Sequence, residues 1–431
     1  MGSSSEAAPR GAATAGIQYT ANDVARLRNG TQIPTAAAGT QGPLGKRLPL
    51  VATSKLYVKE HDALALRVVC CVAAIVVLAF FSLCFMGAAG QNYPYSGAYQ
   101  MYSPVQVAGA LYWRLYNVIG TATGLWAAHS NSWLLSNVPG YWAIWHRAGV
   151  VGITIVCSLL LGISGMLYQN AFKNPIAGPG MLGATSGVSL GMMIMVWLWG
   201  SAGASMIGMR YAICYGLGAA ILAFVLIVGR KLSGKDKPFD IVTMLLVGSI
   251  LSQLLGFIVS YVTLFVMDEA DYLTYYTMSQ MLVVDTSAVS WLALGIACAV
   301  SLIPTYVLRY KFNALAMDPH EARLLGLNYG FLRMMALLCG AVMILAASIH
   351  IGAVSLVSLI VPFLSRSIFG CESSRQLVGN LCIGPILLLV CRDVTDMIPF
   401  IADGLSIGSI ASVVMLPLFV VVMARQMRGW E

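Results

Sequence analysis

A small group of ionisable residues interrupts a long apolar segment near the C-terminus: Arg392, Asp393 and Asp396. Charges are costly inside a membrane, so those that occur there are usually paired or functional. Arg392 and Asp396 are four residues apart and would form an ion pair along one face of a helix. The cluster could relay ions across a membrane, or it could be a paired structural group near a helix end, and we favour the structural interpretation.

A second pattern concerns nucleotide binding. Residues 229–235 match GxxxxGK, the pattern of a phosphate-binding loop. Asp236 follows where Ser or Thr should hold a magnesium ion, and an acid at this position would repel phosphate groups. The stretch also follows an apolar segment and not a buried strand. We therefore predict an ordinary solvated loop, and any ATP-binding site must belong to another subunit.

No other residue pattern in the sequence is typical of catalysis or metal binding. There is no Ser-His-Asp order and no glycosidase-like pair of carboxylates. Every cysteine except Cys371 lies in an apolar run and none forms a CxxC pair, which indicates small packing residues. We predict a chain without catalytic residues, without a metal site and without a cofactor of its own.

The composition and the apolar runs of the chain predict its secondary structure. The chain has 431 residues, of which 58% are hydrophobic and 10% charged, whereas a soluble domain has about 25% charged residues. This excludes a soluble enzyme, a disordered protein and a nucleic-acid-binding module. Apolar runs of about 20 residues recur from Leu66 onward, and each could cross a membrane. We predict an all-α polytopic membrane protein with ten transmembrane helices, near 66–89, 148–168, 181–199, 208–229, 239–266, 287–308, 332–351, 353–369, 377–400 and 405–424.

Two segments outside these spans are distinctive. Residues 1–65 have no long apolar run, and we predict a flexible cytoplasmic tail that precedes a ten-span domain at 66–431. Residues 91–147 contain weaker apolar stretches broken by Tyr, Asn, Ser, Pro and Gly, and we predict a long structured outer loop.

The basic residues predict the orientation in the cell membrane. If both termini are cytoplasmic, the only outer Lys or Arg residues are Arg114, Arg147 and Arg210, and Arg392 lies within a span. Such an asymmetry follows the positive-inside rule. The net charge of +8 is therefore a topology signal and requires no nucleic-acid partner.

Glycines and prolines occur in a specific order between residues 164 and 191. The order is SG-x3-Q-x4-NP-x3-PG-x-LG-x3-G-x3-G, in which Gly183, Gly187 and Gly191 recur every fourth residue. Such a stripe allows close helix packing. The order resembles that of the ABC-transporter permeases that import iron-siderophores, haem and cobalamin. Further matches cover much of residues 66–431: residues 313–328, Gly352, residues 359–362, Arg366, Asp393, residues 405–408 and Pro417. The predicted helix-packing glycines are Gly165, Gly183, Gly187, Gly191 and Gly408.

The resemblance implies a transport subunit and not an enzyme. In this family two permease chains, identical or related, surround a central path lined by the fifth and tenth spans. Two cytoplasmic ATPase subunits bind ATP and Mg and hydrolyse the ATP, and an external binding protein delivers the substrate. The cargo would be an iron chelate, either a siderophore or haem, and cobalamin is the alternative. His350 could contact such a cargo, but the sequence offers no second ligand at a suitable spacing.

Residues 310–330 would form the cytoplasmic coupling segment that docks in a groove of the ATPase. Early acidic residues and a later arginine suit the dipole of a short helix, which a glycine can end. An ordinary capped loop helix is the alternative. The predicted coupling residues are Ala316, Met317, Asp318, Glu321, Arg323, Leu325 and Gly326.

The sequence departs from the family where the binding protein docks. Family members usually carry Arg-Leu-Pro-Arg before the second span, but here Arg147 is followed by Ala-Gly-Val. A further family arginine is replaced by Met397. We predict docking at Arg147 together with Arg114 or Arg210, or on the loop at 91–147. Two other classes stay open: an ion-coupled secondary transporter that uses Arg392, Asp393 and Asp396, and a membrane receptor or scaffold.

Overall fold

The computed structural model describes ten stretches of the chain. They are residues 50–86, 100–123, 129–138, 140–175, 177–232, 241–279, 285–317, 319–352, 354–397 and 407–428. The chain divides into two compact units, Met1–Glu60 and His61–Glu431. Most of the predicted tail, residues 1–49, lies outside the described residues.

The described residues are almost entirely helical. A single pair of two-residue antiparallel strands, β1 (Phe85–Met86) and β2 (Gln100–Met101), and two 3-10 turns, Pro179–Leu182 and Lys311–Leu315, interrupt the helices in these stretches. The helices are α1 Leu50–Cys84, α2 Pro104–Thr123, α3 Asn131–Asn137, α4 Tyr141–Phe172, α5 Ala184–Trp199, α6 Ser201–Ser205, α7 Ile207–Leu232, α8 Ile241–Phe265, α9 Glu269–Ser279, α10 Ala288–Val307, α11 Pro319–Leu324, α12 Tyr329–Ile351, α13 Ser355–Phe369, α14 Ser373–Met397 and α15 Ile407–Arg428.

Seven of these helices are long and apolar enough to cross a membrane. They contain the spans Leu64–Cys84, Ala143–Phe172, Ile207–Leu232, Thr243–Phe265, Ala288–Val307, Tyr329–Ile351 and Ser373–Thr395. Shorter apolar helices at Ala184–Trp199, Leu356–Phe369 and Ile410–Val421 occupy the other three predicted span positions. The predicted all-α fold of a polytopic membrane protein with about ten transmembrane helices is confirmed.

The predicted outer loop at 91–147 is helical over much of its described length. It contains α2 and α3, and α4 begins at Tyr141, seven residues before the span predicted at 148. Trp, Tyr and His at the start of α4 lower its hydropathy without opposing helix formation. Gly140, with a φ of 71°, adopts the left-handed conformation that starts the helix.

The core is built on α4 and α12, which pack along each other. The Ser164 hydroxyl donates to the Gly340 carbonyl at 2.6 Å, and the Tyr168 hydroxyl donates to the Leu337 carbonyl at 3.2 Å. Such interhelical hydrogen bonds satisfy polar side chains in an apolar interior. The helices α13 and α14 also pack against α4, where a side chain at Gly165 would overlap the Ser358 carbonyl oxygen.

Candidate functional site

The coupling segment, residues 310–330, lies at one end of the bundle, which we call the inner end. It consists of the 3-10 turn Lys311–Leu315, the short helix α11 and the turn that leads into α12. Phe312, Leu315 and Ala322 are buried against the bundle. These three side chains attach the segment to the spans by packing.

Polar contacts fix the same segment to three helix ends. The Lys173 ammonium, just after α4, donates to the Met317 carbonyl, and the Tyr329 hydroxyl at the start of α12 donates to the Leu315 carbonyl at 3.4 Å. The Ser373 amide at the start of α14 donates to the Asn313 Oδ1 at 2.8 Å. The segment thus contacts the inner ends of α4, α12 and α14.

The outward side of the segment is exposed and partly apolar. The exposed fraction is 88% for Leu324 and 64% for Leu325. Exposed apolar side chains that lie together can mark a protein-interaction site. The exposed members of the predicted coupling set are Ala316, Met317, Glu321, Arg323, Leu325 and Gly326, whereas Asp318 lies outside the described residues.

Sequence reasoning missed Leu324, the most exposed of these side chains. The paired leucines directly after a polar helical stretch were the available signal. Gly326, with a φ of 75°, ends α11 in the left-handed conformation, and the Leu327 amide donates back to the Ala322 carbonyl at 3.0 Å. This turn leaves Leu324 and Leu325 exposed.

Family-motif residues from the two halves of the sequence meet above the coupling segment. The Gln169 side-chain amide donates to the Leu359 carbonyl at 3.0 Å. The Arg366 guanidinium donates to the Asn170 Oδ1 at 3.1 Å. The motifs around residues 164–191 and 359–366 thus form one contact between α4 and α13.

The three predicted docking arginines lie towards the opposite end, which we call the outer end. Arg147 is buried and its Nε donates to the Ser82 carbonyl at 3.0 Å. Arg210 is buried and forms an ion pair with Asp285 at 3.4 Å. The Arg114 guanidinium lies 4.3 Å from the centre of the Trp145 ring. Each arginine therefore contacts another element of the bundle, and docking at these positions stays a prediction.

A buried polar cluster joins α7, α10 and α12 near the same end. The Tyr211 hydroxyl donates to the Ser290 hydroxyl at 2.8 Å, and the His350 Nε2 lies 3.2 Å from the Ser290 carbonyl oxygen. The His350 Nδ1 lies 2.7 Å from the Ala346 carbonyl oxygen, and its ring stacks on Tyr211. Both nitrogens of His350 thus contact the protein backbone, so the imidazole is fixed in the helix packing.

The predicted charge cluster lies in α14. Arg392 and Asp393 are buried, and Asp396 belongs to the helix, although its side chain lies outside the described residues. Arg392 lies close enough to His146 of α4 for a charge interaction between the two helices. Among the described residues, no group of three or more His, Cys, Asp or Glu side chains is arranged to hold a metal ion.

A short acidic helix, α9, packs against α5 and α6 at the outer end. Burial raises the pKa of the Tyr275 phenol to about 12, so this side chain is neutral at physiological pH. Gly200 has a φ of 56°, and a Cβ there would lie 3.1 Å from the Asp271 carboxylate. The acidic helix is therefore packed closely against the bundle.

The predicted packing glycines lie at helix contacts. Gly183, with a φ of 80°, precedes α5, and Gly187 and Gly191 face α7. Gly165 faces α13, and Gly408 is buried in α15. Space for a side chain is limited at Gly165, Gly183, Gly187 and Gly191, and Gly408 lies near the start of α15.

Comparison with known proteins connects this architecture to a family. The model of the FecCD transport family matches residues 135–425. The chain is 24% identical to the probable iron chelatin transport system permease protein of Helicobacter pylori, over 63% of this chain and 80% of that one. It is 25% identical to the hemin transport system permease protein HmuU of Yersinia pestis, over 68% of this chain and 87% of that protein. Further relatives, at 24% and 26% identity, are named as molybdate and vitamin B12 import permeases.

A solved structure shows the same fold. An inward-facing transporter described as of the metal-chelate ABC type aligns with a TM-score of 0.55 and 20% identity, over 74% of this chain and 99% of that one. The ten apolar helices, the glycine-proline order and the family match agree. The chain therefore belongs to the FecCD transport family and is a multi-pass permease subunit of an ABC importer.

Proposed function

We propose that the chain carries an iron chelate, either a siderophore complex or haem, into the cell. Two relatives named for iron chelatin and hemin transport support this cargo class. Cobalamin is the alternative, supported by the relative named for vitamin B12 import. The polar cluster of Tyr211, Ser290 and His350 does not distinguish these cargoes, because its hydrogen-bonding groups contact one another and the backbone.

The observation that carries the mechanism is the anchored coupling segment with its exposed leucines. Leu324 and Leu325 would insert into a groove of an ATPase subunit, and burial of such apolar side chains favours binding by about 2 kcal/mol each. Phe312, Leu315 and the contacts of Lys173 would pass the movement of the ATPase to α4 and α12. Alternating access then follows from rocking of the spans between two states.

The complete transporter would contain two permease chains and two cytoplasmic ATPase subunits that bind ATP and Mg, together with an external binding protein. The helices α8 and α15 would line the path between the two permeases. An exposed apolar face on α8, which includes Leu254, Phe257 and Tyr261, is consistent with an interface of this kind. Both termini would be cytoplasmic and the coupling segment would face the cytoplasm, where ATP is available.

Reconstitution in liposomes tests this proposal. The chain, its ATPase and its loaded binding protein should show ATP hydrolysis that the loaded binding protein stimulates, with uptake of labelled iron. Competition among ferric siderophore, haem, cobalamin and molybdate would identify the cargo.

Three outcomes would contradict parts of the proposal. Uptake that follows a proton gradient and ignores ATP would favour a secondary transporter that uses Arg392, Asp393 and Asp396. A complete complex without any flux would favour a receptor or scaffold. Uptake of cobalamin or molybdate alone would overturn the cargo and leave the ATP-driven mechanism intact.

A further inference from the structure

A cleft of about 400 Å³ opens between α4 and α10 at the outer end of the bundle. It is lined by Trp145, His146, Ala148, Gly149, Thr286 and Trp291. The exposed fraction is 45% for Trp145 and 39% for Trp291, so both indoles are accessible. The proposed transport mechanism uses none of these side chains.

The cleft lies at the edge of the membrane. The apolar span of α4 begins at Ala143, and that of α10 begins at Ala288. Trp145 and Trp291 are thus two or three residues inside their spans. Tryptophan is enriched at this level because its ring is amphipathic and fits among lipid headgroups.

An arginine with unused donors lies beside the cleft. The Arg114 guanidinium is stacked over the Trp145 ring, and its Nη1 donates to the Tyr141 hydroxyl at 3.4 Å. Its Nε is buried and has no hydrogen-bond partner among the described residues. No described carboxylate forms an ion pair with it. Guanidinium has five donors in a planar fork that matches a phosphate, so the terminal Nη groups, beyond the buried Nε, suit an anion.

The helix that carries Arg114 is itself suited to lipid. Tyr112, Leu115, Val118 and Ile119 are exposed along one side of α2. The helix contains no acidic residue. An exposed apolar stripe next to membrane spans suits a helix whose apolar face contacts lipid at the interface.

The charged groups around the cleft include more arginines than carboxylates. Arg392 and Arg147 lie within charge-interaction range of His146, as does the Asp285 carboxylate, and the buried Asp393 follows Arg392 in α14. Arg114 adds a further positive charge next to Trp145. A ligand with a negative headgroup is therefore favoured over a neutral one.

We propose that this cleft binds an anionic phospholipid of the outer leaflet. Its phosphate contacts Arg114, and an acyl chain lies between Trp145 and Trp291. The lipid would fill the space between α4 and α10 and would hold α2 against the bundle. The choice of leaflet rests on the orientation given under the proposed function. The binding itself rests on the fold and the charge distribution, and it holds whatever cargo is transported.

Native mass spectrometry of the full-length chain tests the proposal, with phosphatidylglycerol and phosphatidylcholine as probes. Phosphatidylglycerol should bind more tightly than phosphatidylcholine. Arg114→Gln should weaken phosphatidylglycerol binding about ten-fold, as expected for loss of a hydrogen bond to a charged group, and should leave phosphatidylcholine binding unchanged. Arg114→Lys should retain part of the preference. Trp291→Leu should weaken the binding of both lipids. This variant tests the cleft independently if Arg114→Gln does not fold.

Arg309→Gln is the matched control, because Arg309 also stacks on aromatic rings but lies at the inner end of α10. Equal weakening by Arg309→Gln and Arg114→Gln would show general surface charge and would overturn the proposal. Displacement of the lipid by inorganic phosphate alone would indicate a soluble-anion site instead. Loss of stimulation by the binding protein in Arg114→Gln, with unchanged lipid binding, would assign Arg114 to protein docking and would also overturn it.

Discussion

Gly187 of α5 and Gly218 of α7 face each other where these two helices cross. A Cβ at Gly187 would lie 2.7 Å from the Gly218 Cα, well inside van der Waals contact. One turn further along, a Cβ at Gly191 would lie 3.0 Å from the Cys214 Cα. The two helix backbones therefore touch along this face, and a larger side chain requires them to move apart.

Gly187→Leu should destabilise the folded chain. Overpacking of a close contact costs about 1–3 kcal/mol, and this contact involves two backbones that cannot change rotamer. We expect a lower melting temperature in detergent and a larger aggregated fraction by size-exclusion chromatography. Gly216→Leu is the control, since a Cβ at Gly216 on α7 meets nothing within 4 Å. Equal behaviour of the two variants would refute the assigned helix crossing.

The number and order of spans could be predicted because each crossing helix requires about 20 apolar residues. The helix α2 could not be predicted, since Arg114, Asn117 and two tyrosines lower its hydropathy, and only one narrow face of it is buried. Contacts between residues that are far apart in the chain could not be predicted from a single sequence either. Arg210 and Asp285 are 75 positions apart, and the sequence around each residue does not indicate that the two form an ion pair. The coupling residues were predicted from the family resemblance, but the exposure of Leu324 depends on the turn at Gly326.

Leu324→Asp should separate ATP hydrolysis from transport. The side chain is 88% exposed, so the substitution should not unfold the chain, whereas it would place a charge in an apolar docking groove. We expect the affinity for the ATPase subunit to fall about ten-fold or more, as for an interface hot spot. Affinity is measured on the purified subunits, and coupling is measured as labelled iron transported per ATP.

Leu232→Asp provides the control for this prediction. Leu232 is also exposed and is the last residue of α7 at the inner end, but it lies outside the coupling segment. Its substitution should leave ATPase affinity close to that of the unaltered chain. If Leu324→Asp binds the ATPase normally, the proposed docking surface is wrong.

Asp285→Asn should destabilise the outer end through Arg210. The Arg210 side chain is only 9% exposed, and the substitution would leave its charge buried without the ion pair. Breaking a buried pair costs about 3 kcal/mol or more. Asparagine still offers an acceptor to the Ser287 amide, so the effect reports the charge and not the start of α10.

A double-mutant cycle separates the two contributions. Arg210→Met combined with Asp285→Asn should recover much of the lost melting temperature, because the buried charge is then removed. Glu372→Gln is the control for an exposed pair, since Arg375 and Glu372 are both more than a third exposed and should contribute less than about 1 kcal/mol. Additive effects at Arg210 and Asp285 would contradict the ion pair.

The backbone and the side chain of Lys173 have different roles, which a substitution can separate. With a φ of 51°, it is the one non-glycine residue of the described stretches in the left-handed region, where it ends α4. Its ammonium reaches the Met317 carbonyl and lies 5.6 Å from the centre of the Tyr329 ring. Lys173→Gly should therefore keep the left-handed turn at no steric cost and remove only the contact with the coupling segment.

In Lys173→Gly, amide hydrogen exchange at residues 311–317 should accelerate about ten-fold, as for loss of a hydrogen bond to a charged group. Transport per ATP should fall while the melting temperature of the chain changes little.

Two variants serve as controls. Lys173→Arg should keep the exchange slow. Lys311→Ala, which replaces an exposed lysine on the same segment, should leave the exchange unchanged. Slow exchange in Lys173→Gly would show that Phe312 and Leu315 hold the segment without Lys173, and the movement of the ATPase would then reach α4 and α12 through packing alone.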